Sequence, residues 1–223
     1  MRTGTMIRAV LWDNDGLLLD SEALFFSLTK RFFAEAGIHL DEAYWGIEYL
    51  GNAKHSVQIA RELGMAPDLA EKLLDRRNDA FVERIRHSVP LMPKVRETIE
   101  ALRGQVRLGL VTGSPRDKVE LMHGPAGLLD RFDVIVTDDD VSNPKPHPEP
   151  YLKALESLGL SPEECLAVED SRRGLSSAYA AGIPCIVVPN ALTKVQSFEL
   201  AYAVEDDVSG VLKHLHARNR HSA

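Results

Sequence analysis

The second half of the chain alternates short apolar runs with segments whose apolar residues recur at helical spacing. Each run is almost entirely apolar, so a strand formed from it must have both faces covered, as in a parallel sheet between layers of helices. The pattern predicts four helices, each followed by a strand. The helices are expected at residues 95–102, 117–122, 150–158 and 175–181, and the strands at residues 106–111, 132–136, 165–168 and 184–188.

One more apolar run lies near the N-terminus, at residues 9–12, far from the others in sequence. A single strand cannot bury itself, so this run is predicted to join the same sheet. The stretch that follows it has apolar residues at helical spacing in four segments, separated at Gly37, at Gly51 and at residues 64–67. It therefore predicts four helices and no strand.

These patterns predict an α/β fold in two parts. The core is discontinuous, made of residues 1–20 and 90–223, and it has helices on both faces of a parallel sheet. An all-helical cap, residues 21–89, is inserted between the two core segments. The polar tail from Ala217 to Ala223 is expected to fray.

Composition narrows the class of protein. The chain has 223 residues, of which 44% are hydrophobic and 26% charged, which is enough for a sizeable core. Its formal net charge of −7 and the absence of a basic block argue against a nucleic-acid partner. Cys165 and Cys185 lie in apolar runs and are expected to be buried thiols in a reducing compartment. With no signal peptide or membrane-length apolar run, we expect a cytoplasmic monomer or weak homodimer without a membrane partner.

Two carboxylates, Asp13 and Asp15, stand at the end of the first predicted strand and are followed at once by Gly16. Residues i and i+2 of a strand point the same way, so two negative charges converge there. Such a pair is costly unless a cation lies between the carboxylates or one of them holds a proton. The alternative interpretation is a solvated, aspartate-rich turn that merely ends the strand.

Polar residues also follow other predicted strands. Thr112, Gly113 and Ser114 come after one strand, and Glu169 and Asp170 come after another. A single lysine, Lys145, lies in a proline-rich loop between them. Because ligands of open parallel sheets bind beyond the carboxyl ends of the strands, we expect these groups to meet Asp13 and Asp15 at one edge of the sheet.

The chemistry of these groups is complementary. The four carboxylates form a hard oxygen site that suits Mg²⁺ next to substrate phosphate. Thr112 and the Gly113 amide supply donors near a helix start, where an anion is favoured, and Lys145 supplies a compact positive charge. This set predicts phosphoryl transfer, in which a carboxylate can act as the nucleophile once its repulsion from the phosphate is neutralised.

The chain resembles the haloacid dehalogenase (HAD) superfamily in four motifs. They are Asp13-x-Asp15-Gly16-x-x-x-Asp20-Ser21-Glu22, Thr112 after an apolar strand, Lys145-Pro146, and Glu169-Asp170-Ser171. The pattern is similar to the subgroup of phosphoglycolate phosphatases, sugar-phosphate phosphatases and β-phosphoglucomutase. The resemblance covers essentially the whole chain, and it implies a Rossmann-like core with a helical cap inserted after the first motif.

The resemblance also implies roles for the motif residues. Asp13 would be the nucleophile, and Asp15 would protonate the leaving oxygen and then deprotonate the attacking water. Thr112 and the Gly113 amide would hold phosphate oxygens, and Lys145 would neutralise the nucleophile and the phosphate. Mg²⁺ would be held by Asp13, the Asp15 carbonyl oxygen, Asp170 and, directly or through water, Glu169.

The function implied is that of a Mg²⁺-dependent phosphatase that acts on a small phosphorylated metabolite of the sugar phosphate or phosphoglycolate type. A sugar-phosphate mutase is the alternative. The mutase members carry a histidine where this chain has Phe25 and a lysine where it has Pro115, and these departures favour the phosphatase. A third possibility, a non-catalytic binding protein, has no support in the motifs, because no motif carboxylate is missing.

Residues outside the core motifs complete the list of candidates. Substrate contacts are expected from Glu22 and, near the turn at Gly51, from Lys54 and His55. Three other polar groups are interpreted as structural rather than functional: His147, the acidic turn at residues 138–140, and the arginine pair Arg172 and Arg173, which we expect to be at the surface or in salt bridges.

Overall fold

The structure, a computed structural model, describes residues 5–220 and has a single parallel sheet as its centre. Its strands are β1 (Ala9–Trp12), β2 (Arg107–Val111), β3 (Val134–Val136), β4 (Cys165–Glu169), β5 (Cys185–Val187) and β6 (Ala203–Val204). They lie in the order β3-β2-β1-β4-β5-β6, and each neighbouring pair is parallel. The predicted α/β class with a parallel sheet is confirmed.

Helices cover both faces of the sheet. They are α5 (Val95–Leu102), α6 (Arg116–His123), α7 (Glu149–Leu158), α8 (Arg172–Ala180) and α9 (Gly210–Arg220). Alternate residues of each strand face opposite layers, so Val10 and Trp12 of β1 pack with α5, α6 and α9, whereas Leu11 packs with α7 and α8. This explains why the strands are apolar along their whole length.

Residues 21–87 form a helical insertion between β1 and α5. Its helices are α1 (Ser21–Glu35), α2 (Glu42–Trp45), α3 (Ser56–Glu62) and α4 (Pro67–His87), and α2 continues as a π-helical segment, Gly46–Gly51. Pro67 occupies the first position of α4, where its missing N–H costs nothing. The insertion has its own apolar core, in which Phe33, Trp45 and Ile59 are fully buried. Its action as a separate substrate-selecting domain stays a prediction.

The ends of the insertion are tied together at the edge of the core. The Asp20 N–H donates to the Pro90 carbonyl oxygen (2.9 Å), and the Met92 N–H donates to the Leu18 carbonyl oxygen (2.9 Å). The π-helical segment also contacts the core, because the Gln196 side chain donates to the Gly46 carbonyl oxygen (2.7 Å). These contacts hold the insertion over the carboxyl ends of the central strands.

The sequence patterns missed β6 and α9 and were wrong about the tail. Strand β6 has only two residues, too few to show a pattern. Residues 217–220 do not fray but belong to α9, because Asn219 accepts a hydrogen bond from the Ile7 N–H (2.7 Å) and donates one to the Ile7 carbonyl oxygen (3.2 Å). Residues 221–223 lie outside the described part of the chain. Among residues 5–220, no helix is long and apolar enough to cross a membrane.

Candidate active site

Lys145 joins two carboxylates at the carboxyl edge of the sheet. Asp13 comes directly after β1, Glu169 ends β4, and Lys145 reaches them from the loop before α7. The Lys145 Nζ atom donates to Asp13 Oδ1 (2.7 Å), Glu169 Oε1 (2.6 Å) and the Val111 carbonyl oxygen (2.8 Å). An ammonium has three donors, so all of them are used and the side chain, only 5% exposed, is held in one position.

Burial and mutual charge both shift the pKa values of Asp13, Glu169 and Lys145. Burial raises the pKa of Asp13, although Lys145 opposes the shift. Burial also raises the pKa of Glu169 to about 7, again against the effect of Lys145. Burial disfavours the charged form of Lys145, but Asp13 and Glu169 outweigh this effect and raise its pKa. One cation therefore serves two carboxylates, which leaves a negative charge that further positive charge would stabilise.

Asp170 adds a third carboxylate to this position. One oxygen from each of Asp13, Glu169 and Asp170 can be chosen so that all lie within 4.8 Å of one another. Burial, followed by Asp13 and Glu169, raises the pKa of Asp170 well above its usual range. Asn190, which the sequence patterns did not single out, orients Asp170 by donating to its Oδ2 atom (2.8 Å). Three buried carboxylates with one lysine fit a hard divalent cation such as Mg²⁺.

Two glycines leave room for these carboxylates. A Cβ atom at Gly174, in the first turn of α8, would lie 1.8 Å from Glu169 Oε2, so a larger residue there would displace Glu169. Gly16 has φ +78°, in the left-handed region, and a Cβ atom there would lie 2.7 Å from Asp170 Oδ2. Both positions therefore require glycine for the carboxylates to converge.

Asp15 faces a different set of partners, all of them hydroxyl or amide donors. Ser21 Oγ donates to Asp15 Oδ1 (2.6 Å), whereas Ser114 Oγ (2.8 Å) and Thr112 Oγ1 (3.2 Å) donate to Oδ2. Its side chain is absent from the carboxylate trio found among the described residues. The two aspartates of the first motif are thus separated by environment, one beside a lysine and one among hydroxyls.

Beneath this loop, Asn14 contacts a buried histidine that the sequence patterns did not identify. The His123 Nε2 atom lies 2.6 Å from Asn14 Oδ1. Burial lowers the pKa of His123 to about 4, with a smaller opposing effect from Asp15. The neutral imidazole therefore supports the loop that carries Asp13 and Asp15.

This burial predicts an acid-sensitive contribution to stability. His123 in the unfolded chain takes up a proton near pH 6.5, whereas the folded protein resists it down to about pH 4. The stabilisation is therefore complete above pH 6.5 and is lost as the pH falls toward 4. Between pH 7.5 and 4.5, we expect the free energy of unfolding, measured with urea, to fall by roughly 2–3 kcal/mol more than in His123→Gln. Parallel pH profiles for the two proteins would contradict this expectation.

The carboxylates and Lys145 line a cavity of about 370 Å³ between the core and the helical insertion. Gly113, Ser114 and Lys118 line it from the core. The insertion contributes an aromatic wall of Phe25, Tyr49 and Phe81. The Phe25 ring lies 5.8 Å from Tyr49 and 5.0 Å from Phe81, measured between centroids.

Glu22 and Arg173 also line this cavity. Burial, then the charge of Asp15, raises the pKa of Glu22 to about 8. Arg173, which we expected at the surface or in a salt bridge, is half-buried and lines the cavity, because Ser171 caps α8 and places residue 173 in its first turn. Its position three residues after Asp170 was the signal that could have identified it.

The structure brings most of the predicted site residues together. Asp13, Asp15, Gly113, Lys145, Glu169, Asp170 and Glu22 line one cavity, and Thr112 is hydrogen-bonded to Asp15. Lys54 does not line it, since its Nζ atom lies 2.8 Å from both Glu48 Oε2 and Glu62 Oε2. His55 lines a neighbouring groove instead. The substrate contacts expected of Lys54 and His55 stay predictions.

The interpretation of the other polar groups as structural agrees with their contacts. His147 Nδ1 accepts a hydrogen bond from the Glu149 N–H (3.2 Å). In the acidic turn, Asp140 accepts from the Thr137 N–H (2.8 Å) and pairs with Arg116 (2.8 Å). These groups stabilise loops, although Asp138 of the same turn lines the cavity.

Comparisons with known proteins agree with the resemblance noted in the sequence. The family model described as haloacid dehalogenase-like hydrolase matches residues 10–188. The protein YhcW of Bacillus subtilis is 35% identical over 227 residues, which cover 96% of this chain and 100% of that protein. Hexitol phosphatase B of Escherichia coli is 31% identical over 193 residues, covering 85% of this chain and 86% of that one. CbbY from Rhodobacter sphaeroides, solved in complex with phosphate, has a TM-score of 0.74 and 30% identity, and the match covers 92% of this chain and 96% of that structure.

Proposed function

Because this chain belongs to the haloacid dehalogenase-like hydrolase family and is a phosphatase by its relatives, we propose that it transfers a phosphoryl group to Asp13 and then to water. The substrate is a small phosphorylated metabolite of the sugar phosphate or phosphoglycolate type, and the cofactor is Mg²⁺. The observation that carries this proposal is the placement of Lys145 between buried Asp13 and Glu169, with Asp170 beside them.

Asp13 is the nucleophile in this proposal. Its attack on a phosphate dianion is opposed by like-charge repulsion, which amounts to several kcal/mol at low dielectric. Lys145 reduces that repulsion because its ammonium is held 2.7 Å from Asp13 Oδ1. As the bond from the Asp13 oxygen to phosphorus forms, the bond from phosphorus to the ester oxygen breaks.

Asp15 is the general acid and then the general base in this proposal. In its acid form it donates a proton to the departing ester oxygen, and as a carboxylate it takes a proton from the water that attacks the phosphoryl-Asp13. The hydroxyls of Ser21, Thr112 and Ser114 hold its carboxyl group in position for both steps. Water attack releases inorganic phosphate and regenerates Asp13.

A divalent cation fits the three carboxylates that lie close together, Asp13, Glu169 and Asp170. Asp13, Asp170, Glu169 and the carbonyl oxygen of Asp15 would hold Mg²⁺. When bound, the metal supplies positive charge that compensates both the carboxylates and the phosphate oxygens. The helical insertion is then the cap that selects the substrate and controls access to the cavity.

The contrast with a mutase rests on two positions in the cavity wall. Phe25 belongs to the aromatic wall, and Pro115 lines the cavity where a mutase-type lysine is expected. Neither residue can donate a hydrogen bond or a proton to a sugar intermediate that is to be rephosphorylated. These residues favour release of phosphate to water over its return to the sugar.

The test is a panel of phosphorylated metabolites assayed with Mg²⁺ and with a chelator, in which inorganic phosphate is measured. We expect Mg²⁺-dependent phosphate release from at least one sugar phosphate or from phosphoglycolate. Phosphorus NMR of the same reactions separates hydrolysis from transfer between sugar positions. Absence of release from every compound, including a generic aryl phosphate, would overturn the phosphatase proposal, whereas phosphate transfer without release would favour the mutase.

A further inference from the structure

Glu22 and Arg173 both line the cavity and belong to opposite sides of it. Glu22 lies in the first turn of α1, at the start of the helical insertion, and Arg173 lies in the first turn of α8, in the core. Each is among the main electrostatic partners of the other, yet within the described chain they make no direct ion pair with one another. An acceptor and a donor that are not hydrogen-bonded to each other therefore line the same cavity.

Neither group has its hydrogen-bonding capacity met. Glu22 Oε2 is buried and has no hydrogen-bond partner among residues 5–220. The Arg173 guanidinium lines the same cavity and makes no side-chain hydrogen bond or ion pair to another residue of the described chain. Buried polar groups are normally paired, so an unpaired acceptor in a ligand cavity indicates a partner that a ligand supplies.

We propose that Glu22 and Arg173 together bind hydroxyl groups of the substrate, and that the substrate is therefore a phosphate ester of a polyhydroxylated carbon chain. A hydroxyl donates to Glu22 Oε2 and accepts from the Arg173 guanidinium with the same oxygen or with the oxygen of a neighbouring carbon. This inference rests on the proposed function and narrows its substrate class, because it selects sugar or polyol phosphates over phosphoglycolate.

Other ligand groups fit the pair less well. A carboxylate would accept from Arg173 but would add negative charge to a cavity that already holds Asp13, Asp15, Glu169 and Asp170. An ammonium group would pair with Glu22 but would be repelled by Arg173. An alkyl group would leave both side chains without a hydrogen-bond partner. Sites built to bind a hydroxyl group discriminate strongly against ligands that lack it for this reason.

The aromatic wall supports a carbon chain of this kind. Phe25, Tyr49 and Phe81 line the same cavity from the helical insertion. Their rings offer apolar surface to the C–H groups of a sugar or polyol, while Glu22 and Arg173 take its hydroxyls. Specific pockets commonly combine such apolar walls with a few placed polar groups.

The experiment measures binding, so that it does not depend on turnover. The 223-residue Asp13→Asn protein with Mg²⁺ is titrated by calorimetry with ribitol 5-phosphate, with pentyl phosphate, which lacks the hydroxyls, and with phosphoglycolate. We expect ribitol 5-phosphate to bind at least about 100-fold more tightly than pentyl phosphate, because the hydrogen bonds to Glu22 and to the charged Arg173 guanidinium are lost. Phosphoglycolate is expected to bind more weakly than ribitol 5-phosphate.

Variants assign the selectivity to the two residues. Glu22→Leu and Arg173→Leu should each reduce the ratio of the two dissociation constants by roughly 10-fold or more, and Glu22→Gln should restore part of it. Arg172→Leu is the matched control. Its guanidinium is hydrogen-bonded to Asn52 rather than lining the cavity, so the ratio should stay unchanged.

The outcomes distinguish this inference from the proposed function. If Arg173 only compensates nearby carboxylates, its loss changes the affinities for all three ligands together, the ratio stays constant, and the inference is wrong. Equal binding of ribitol 5-phosphate and pentyl phosphate would also overturn it, even if the unaltered protein releases phosphate. Selective binding without phosphate release from any substrate would support the hydroxyl site and overturn the phosphatase.

Discussion

Asp13→Asn is expected to abolish phosphate release, with kcat lower by about 10⁴-fold or more, because an amide cannot take the phosphoryl group. The substitution keeps the size of the side chain and removes a carboxylate whose charge is disfavoured by burial. We therefore expect the protein to fold, with a free energy of unfolding within about 1–2 kcal/mol of the unaltered protein. Phosphate release under saturating substrate and Mg²⁺ is the measurement, with circular dichroism to check folding.

Asp138→Asn is the matched control for this change. Asp138 is another aspartate that lines the same cavity, but it lies outside the carboxylate trio. The same loss of one charge there should lower kcat by less than about 10-fold. If Asp13→Asn keeps more than a small fraction of the activity, or if the two variants lose activity equally, Asp13 is not the nucleophile.

Lys145→Met is expected to damage both stability and activity. Methionine fills the space of the lysine stem but leaves the buried Asp13 and Glu169 carboxylates without their cation. Removing one partner of a buried ion pair costs roughly 3–5 kcal/mol, and loss of a preorganised charge at a reacting group costs roughly 10²–10³-fold in kcat. Urea unfolding and phosphate release measure the two effects.

The pH dependence and a second substitution test the cause. Without Lys145, the carboxyl groups have pKa values that are higher in the folded than in the unfolded chain, so stability falls as the pH rises. The penalty for Lys145→Met should therefore be larger at pH 8 than at pH 5. Adding Glu169→Gln should recover part of the stability but none of the activity. A penalty independent of pH and of Glu169 would show that lost packing, rather than unpaired charge, is responsible.

Much of the architecture followed from pattern alone. Residues 9–12 and 95–102 were predicted with the bounds that β1 and α5 have, because each apolar pattern is uninterrupted and ends at a polar or turn-forming residue. The meeting of Asp13, Lys145 and Glu169 followed from topology, since parallel strands present their carboxyl ends at one edge. These are properties that depend on strand direction and order rather than on side-chain detail.

The remaining site features depend on side-chain direction, which spacing does not reveal. Arg173 lines the cavity whereas its neighbour Arg172 contacts Asn52, although both follow the same motif. Lys54 is held by two glutamates of the insertion, one of them eight residues further along the chain. Asn190 reaches Asp170 from an irregular loop with no periodicity to interpret. The position of each of these side chains depends on which partners the folded chain places within its reach.

The position of β1 in the middle of the sheet has a consequence for the order of events during synthesis. Its strand neighbours pair Ala9 with Arg107 on one side and with Cys165 on the other. Asp13 therefore leaves the ribosome early, but its contacts with Lys145 and the neighbouring Glu169 can form only after those two residues have been translated. The helical insertion, whose contacts are local, can become ordered well before then, whereas such distant strand pairing forms slowly. In a growing chain the helical insertion can therefore fold before the cluster of carboxylates and Lys145 that it covers has formed. Until β4 has been synthesised, β1 is an unpaired apolar strand to which chaperones can bind.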